Sequence, residues 1–180
     1  MSAAFPAANG PTWPTPAALA AGGIGVRPLD ARDHVWLREL YASTRTDELS
    51  AVTWPDAAKR AFLDQQFDLQ HRHFVTHFAG ADYLAIESGA RPIGRLYLDR
   101  TRDAWLVVDI ALLPEWRGAG LGSALLSAVC EDAAAARRDV ELHVALNNPR
   151  ARRLYERHGF ASIEQSATHL LMRRRTVPVS

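Results

Sequence analysis

A chain of 180 residues is long enough for one domain with a buried core. Hydrophobic residues make up 48% and charged residues 23%, the balance of an ordinary globular protein. The formal net charge of +1 supplies no overall field for nucleic acid or a membrane surface, so neither is an expected partner.

The first 23 residues, "MSAAFPAANGPTWPTPAALAAGG", are rich in Ala, Pro and Gly and carry no charged side chain. They lack the basic start and sustained apolar run of a signal peptide, and no later segment is long enough to span a bilayer. The expectation is a disordered tail over 1–23, a folded domain over 24–180, and a cytoplasmic protein.

Folding signals begin at Ile24. "IGVRPL" reads as a strand, and Asp30 or Asp33 can cap a helix carrying Trp36, Leu37, Leu40 and Tyr41 on one face. The polar stretch Ser43 to Ser50 reads as a helix end or loop. Pro55 suits a first helical turn, and Phe62, Phe67, Phe74 and Phe78 recur loosely at helical spacing after it. Three strands follow with turns between them: "YLAIES", "IGRLYLD" and "AWLVVDIALL". A helix runs from Leu121 to about Arg138, "VELHVAL" is a strand, and "PRARRLYERH" is a short helix that Gly159 can cap. "THLLMRR" closes as a strand. Order and punctuation predict an α/β (α+β) domain, a mixed sheet with helices against its faces. Cys130, the single cysteine, excludes an internal disulfide, fits a reducing compartment and reads as a buried thiol beside Val129. Arg173, Arg174 and Arg175 read as a solvated cluster.

One stretch resists a purely structural reading. "LLPEWRGAGLGSALL", from Leu112 to Leu126, places Gly118, Gly120 and Gly122 between a strand and a helix. Unpartnered N–H groups and the helix dipole favour an anion at such a helix start. A P-loop would need a lysine after its last glycine, and the only lysine is Lys59. A dinucleotide fingerprint would need glycine three residues after Gly120, where Ser123 stands. Those absences count against a nucleotide-dependent phosphotransferase.

The remaining pattern is Arg-x-x-Gly-x-Gly at Arg117, Gly120 and Gly122, followed downstream by "NNPRARRLYERHGF". That second segment carries Asn148, Ala151, Tyr155, Gly159 and Phe160 at the spacing of Asn-x-x-Ala-x-x-x-Tyr with Gly-Phe. Together they resemble the two signatures of the GNAT superfamily of N-acetyltransferases, in the right order, and the resemblance covers roughly Gly25 to Arg174. "YASTRTDEL", "FLDQQFDLQHRHF" and "IGRLYLDR" also look like one bacterial branch of that superfamily.

The resemblance implies a mostly antiparallel sheet whose fourth and fifth strands splay apart to admit the pantetheine arm of acetyl-CoA, the expected cosubstrate. Backbone groups at Ile110 and Leu112 would meet the pantetheine amides. The loop of Arg117, Gly118, Ala119, Gly120, Leu121 and Gly122 would hold the pyrophosphate. Asn148 and Arg150 would lie towards the adenosine phosphate, although a solvated helix face explains the arginines at 150, 152 and 153 equally. Tyr155 carries over as general acid to the leaving sulfur, and the N–H of Leu112 as donor to the thioester oxygen.

The general base has no clear signature. Positions where many members carry glutamate hold Ala104 or Trp105, and Ala145. Asp109 is the one carboxylate within the fourth strand, and it is a candidate for the site; Asp103, Glu87 and a water chain stay open. Arg45, Glu48, Trp54, Gln66 and His73 are candidate walls for the acceptor, expected to be an amine of a small molecule or peptide. His73 and His77 have metal-pair spacing, but Phe74 stands where a zinc peptidase helix has glutamate, so no metal is expected. Many superfamily members dimerise, and a homodimer is an expectation. The alternative is an acyl-CoA-binding module without turnover, suggested by the missing glutamates.

Overall fold

The computed structural model describes residues 3–7 and 10–176. Seven strands form one sheet in the order β1-β2-β3-β4-β5-β7-β6. They are β1 (Ile24–Pro28), β2 (Asp82–Ser88), β3 (Arg91–Asp99), β4 (Trp105–Leu112), β5 (Val140–Ala145), β6 (Ala161–Gln165) and β7 (His169–Arg174). The helices are α1 (Ala17–Ala21), α2 (His34–Thr44), α3 (Thr46–Ser50), α4 (Asp56–His77), α5 (Leu121–Ala135) and α6 (Pro149–Arg157).

Alternation along the central strands feeds two cores, one on each face. Leu84, Ile86, Leu96 and Leu98 face α5 and α6 with Leu125, Leu126, Val129 and Tyr155. Ala85, Tyr83 and Tyr97 face α2 and α4 with Leu37, Leu40, Tyr41 and Phe67. Cys130 is 3% exposed in the first core, and burial pushes its thiol pKa up, as suits an inert packing residue.

All pairings are antiparallel except that of β4 with β5. Those two pair in parallel only at Trp105–Val140, Leu106–Glu141 and Val107–Leu142, then separate. Where they part, β4 also carries a bulge: Tyr97 is opposite Asp109 and Leu98 opposite Val107, so Val108 is the extra residue. The sheet is therefore open beside Asp109 and Ile110.

The N-terminal segment differs from the mobile tail expected of its composition. Trp13 is 2% exposed and donates from its indole N–H to Asp132 Oδ2 of α5 at 2.8 Å. Leu19 of α1 joins the same core. Thr15 Oγ1 accepts from the N–H of Val26 at 2.9 Å, covering a group on edge strand β1. Phe5 lies on the opposite face, stacked on His34 at 5.1 Å and edge-on to His71 at 4.7 Å. Two aromatic side chains and one leucine thus strap this segment across both faces. Residues 1, 2, 8 and 9 of the expected tail, and 177–180 of the expected domain, lie outside the described residues.

Candidate active site

The β4–β5 opening is a cavity of about 170 Å³ bordered by Asp109, Ile110, Val144, Asn148 and Tyr155. A larger cleft of about 670 Å³ adjoins it and is lined by Leu112, Arg117, Gly118, Gly120, Gly122 and Arg150. Ile110, Asn148, Ala151 and Tyr155 border both. The two signatures recognised in the sequence therefore meet around one continuous depression.

The free edge of β4 supplies backbone groups to it. Leu113 N–H bonds to Ile93 C=O at 2.8 Å. In an antiparallel ladder, alternate residues face the partner strand, so Ile110 and Leu112 direct their N–H and C=O groups away from β3. A bond from Arg117 Nε to Leu112 C=O, 2.7 Å, confirms that direction.

Gly118 and Gly120 have φ of +78° and +87°, a region open to glycine and strained for side-chain-bearing residues. Gly120 is the N-cap of α5, and a Cβ built there would meet nothing within 4 Å, because the position faces the cleft. The first N–H groups of α5 lack intrahelical partners and open onto it. Ala119 and Leu121 belong to the same loop but line neither cavity; Leu121 packs against the core.

Cations surround this helix start. Arg150 Nη2 lies 3.5 Å from where a Gly118 Cβ would stand. Burial and then the charge of Arg150 lower the pKa of Arg117, the mark of like charges held close together. Helix dipole, free amides and two guanidiniums all favour an anion such as a pyrophosphate. Arg117 itself is anchored rather than free, since its Nη2 also bonds Ser43 Oγ at 2.9 Å. Asn148 is the N-cap of α6, accepting from Ala151 N–H at 3.1 Å while bordering both cavities.

Tyr155 is 8% exposed at the junction of the two spaces. Burial first, and the charge of Asp109 second, raise its pKa to about 12. A phenol so placed keeps its proton at neutral pH and can donate it.

Asp109 borders the opening, and its Oδ2 accepts from Arg95 Nε at 2.7 Å. The other carboxylate candidates lie elsewhere. Glu87 is bonded by Arg27 Nε at 2.7 Å, and Asp103 is solvent-exposed near Arg138; neither lines the opening or the adjoining cleft. Nor do the expected acceptor walls Arg45, Glu48, Trp54, Gln66 and His73. Arg45 pairs with Glu48 at 2.8 Å, Trp54 meets Phe62 edge-on, and the His73 ring lies tilted against His77 with centroids 4.2 Å apart. From that region the cleft takes Thr44 and Asp47 instead.

Sequence reasoning missed two further contacts. Ser123 lines the cleft with its Oγ 2.6 Å from His158 Nε2, and burial lowers the pKa of that imidazole. Arg95 lies behind Asp109. A lone arginine in the apolar stretch "IGRLYLD" was the available signal for it.

The model of the Acetyltransferase (GNAT) family matches residues 36–160, more than half of the chain. The chain belongs to the GNAT family. Comparison with curated proteins gives no match. Among solved structures, this GNAT chain is similar to PaiA N-acetyltransferase from Thermoplasma acidophilum in complex with coenzyme A, at 15% identity and a TM-score of 0.65. That match covers 84% of this chain and 98% of the other. It is similar also to histone acetyltransferase HPA2 and related acetyltransferase from Corynebacterium glutamicum (20% identity, TM-score 0.60, coverage 88% and 99%). A third is a spermidine N-acetyltransferase SpeG chimera from Vibrio cholerae and hSSAT (17%, 0.57, 86% and 96%). These likenesses establish the fold: a mixed sheet with helices on both faces and a parallel β4–β5 pair that splays.

Proposed function

We propose that this GNAT chain transfers the acetyl group of acetyl-CoA to a primary amine of a small molecule or peptide. One observation carries the reading: Tyr155 stands where the β4–β5 opening meets the glycine-loop cleft. A pantetheine arm lying along the free edge of β4, with its pyrophosphate on the start of α5, brings the thioester towards that hydroxyl. Acetyl-CoA supplies the activated acetyl group; the chain's residues bind, orient and move protons.

Ile110 and Leu112 offer backbone groups to the pantetheine amides, and the Leu112 N–H is placed to donate to the thioester oxygen. The amine nitrogen forms its bond to the carbonyl carbon as the carbon–sulfur bond breaks, and Tyr155 gives its proton to the departing sulfur. A lysine-like ammonium must first lose a proton, at a cost of about 4.6 kcal/mol at pH 7 for a pKa of about 10.4. Asp109 is the carboxylate bordering the opening and faces that task.

A cytoplasmic setting belongs to the same proposal, supported by one buried thiol. Among the described residues no helix is long and apolar enough to cross a membrane, and no group of three or more metal-binding side chains exists.

The test is release of free thiol from acetyl-CoA over a panel of amines, with acetylated product identified by mass spectrometry. Thiol and acetyl-amine should appear in equal amounts. Tight CoA binding with no release from any amine would return an acyl-CoA-binding module instead.

A further inference from the structure

Arg95 is a cation in an unusual place. It lies in the middle of β3 with its side chain only 4% exposed. Three neighbours receive it: Asp109 Oδ2 at 2.7 Å, Gln70 Oε1 of α4 at 2.9 Å, and the Tyr97 ring with its centroid 5.0 Å from Cζ. Such a buried ion pair adds little stability over a well-packed apolar pair, because desolvation offsets the attraction. Stability alone therefore leaves the arrangement unexplained.

Position accounts for it better. Asp109 is opposite Tyr97 and follows the bulge at Val108, where β4 leaves β5. Its side chain is 22% exposed and borders the opening that Tyr155 also borders. A carboxylate there would otherwise be free to swing towards solvent. The guanidinium, itself braced from the helix above by Gln70, takes one oxygen; among the described residues none bonds Oδ1.

We propose that Arg95 is a positioning residue for acetyl transfer: from β3, with Gln70, it holds the Asp109 carboxylate at the acceptor amine. The proposal rests on the acetyltransferase reading above. Arg95 does not touch substrate; it acts through Asp109. The acceptor this favours is one that arrives as a cation, since an ammonium is what a fixed carboxylate edge attracts.

Steady-state kinetics of the wild type, Arg95→Met, Asp109→Asn and the double variant test it. Asp109→Asn should lower kcat/KM for the acceptor at least about tenfold and leave the KM for acetyl-CoA within about twofold. Arg95→Met should reproduce that split, which a merely structural role would not. The double variant should be within about twofold of Arg95→Met, because both act on one function. The double variant removes both charges together and guards against misfolding from an unpaired carboxylate. Gln70→Met leaves the ion pair and should show a smaller loss of about threefold in the same parameter.

An active wild type with full acceptor kcat/KM in Arg95→Met or in Asp109→Asn would overturn the proposal, as would losses that multiply in the double variant. A wild type that acetylates no amine overturns the acetyltransferase reading itself, and this proposal with it.

Discussion

Arg117 Nε donates to the carbonyl oxygen of Leu112 at 2.7 Å and so joins the glycine loop to the end of β4. The same guanidinium reaches Ser43 of α2 through Nη2 at 2.9 Å. One side chain thus fixes the glycine loop, the end of β4 and helix α2 relative to one another. Arg117→Met should lower CoA affinity about tenfold in calorimetry, because a charge and the loop's anchor go together. Arg117→Lys should rescue little, since a point charge cannot bridge both partners. Unchanged affinity in Arg117→Met would show that the loop holds its shape and its ligand without this tie.

At Gly120 the conflict is steric and conformational. Its φ of +87° is closed to a β-branched residue, and the missing Cβ faces the cleft. Gly120→Val should reduce CoA affinity at least about tenfold in a folded protein. Normal affinity would remove the start of α5 from the cofactor site.

Trp13 provides a stability test. It is 2% exposed and bonded to Asp132, so Trp13→Ala removes a core aromatic and leaves a void. Such changes cost about 3–5 kcal/mol. A domain of this size should then melt roughly 6–20 °C lower. A shift of a degree or less would mean that the N-terminal segment does not pack on the domain in solution.

The N-terminal strap also carries a pH dependence. His34 Nδ1 lies 2.9 Å from Ala31 C=O and takes the proton there, so its Nε2 is an acceptor when neutral. His71 Nε2 faces both that nitrogen, at 3.2 Å, and Ala3 C=O, at 2.7 Å, and serves as the shared donor. His71 Nδ1 is buried without a partner among the described residues. Burial lowers the pKa of His71; the Ala3 carbonyl and Asp68 oppose this, and His34 and Arg95 add to it. A folded pKa below the unfolded value of about 6.5 gives stability that is complete above that value and lost as pH falls through the folded one. Between pH 7.5 and 5.5 the wild type should lose more melting temperature than His71→Gln. Parallel losses would exclude His71 as the source.

The order of strands and long helices was legible because alternation and helical spacing are local properties. Gly159, with φ of +81° just past α6, was legible as a cap for the same reason. The short elements were not. α1 and α3 have five residues each, and every residue of β6 is exposed, so no apolar period marks them. The glycine loop and Tyr155 were readable as a resemblance, while Trp13 and Arg95 were not. Trp13 finds its partner 119 residues away, and composition alone made its surroundings look like a tail. Arg95 depends on a carboxylate 14 residues on and on a glutamine from another layer. Long-range pairing decided both: a lone arginine in an apolar stretch marks Arg95 as unusual, but local sequence does not name its partners.

Tyr155→Phe tests the central claim most directly, by the single-turnover rate of acetyl transfer under saturating acetyl-CoA and amine. The variant keeps the ring, which is 8% exposed, and loses only the hydroxyl. CoA affinity and melting temperature should therefore change little, whereas the transfer rate should fall about 10²–10⁴-fold, the usual worth of a general acid. With the phenol pKa at about 12, the wild-type rate should show no decline from Tyr155 ionisation up to pH 10. A lowered melting temperature with a transfer rate within about twofold of wild type would make Tyr155 a packing residue and contradict the account.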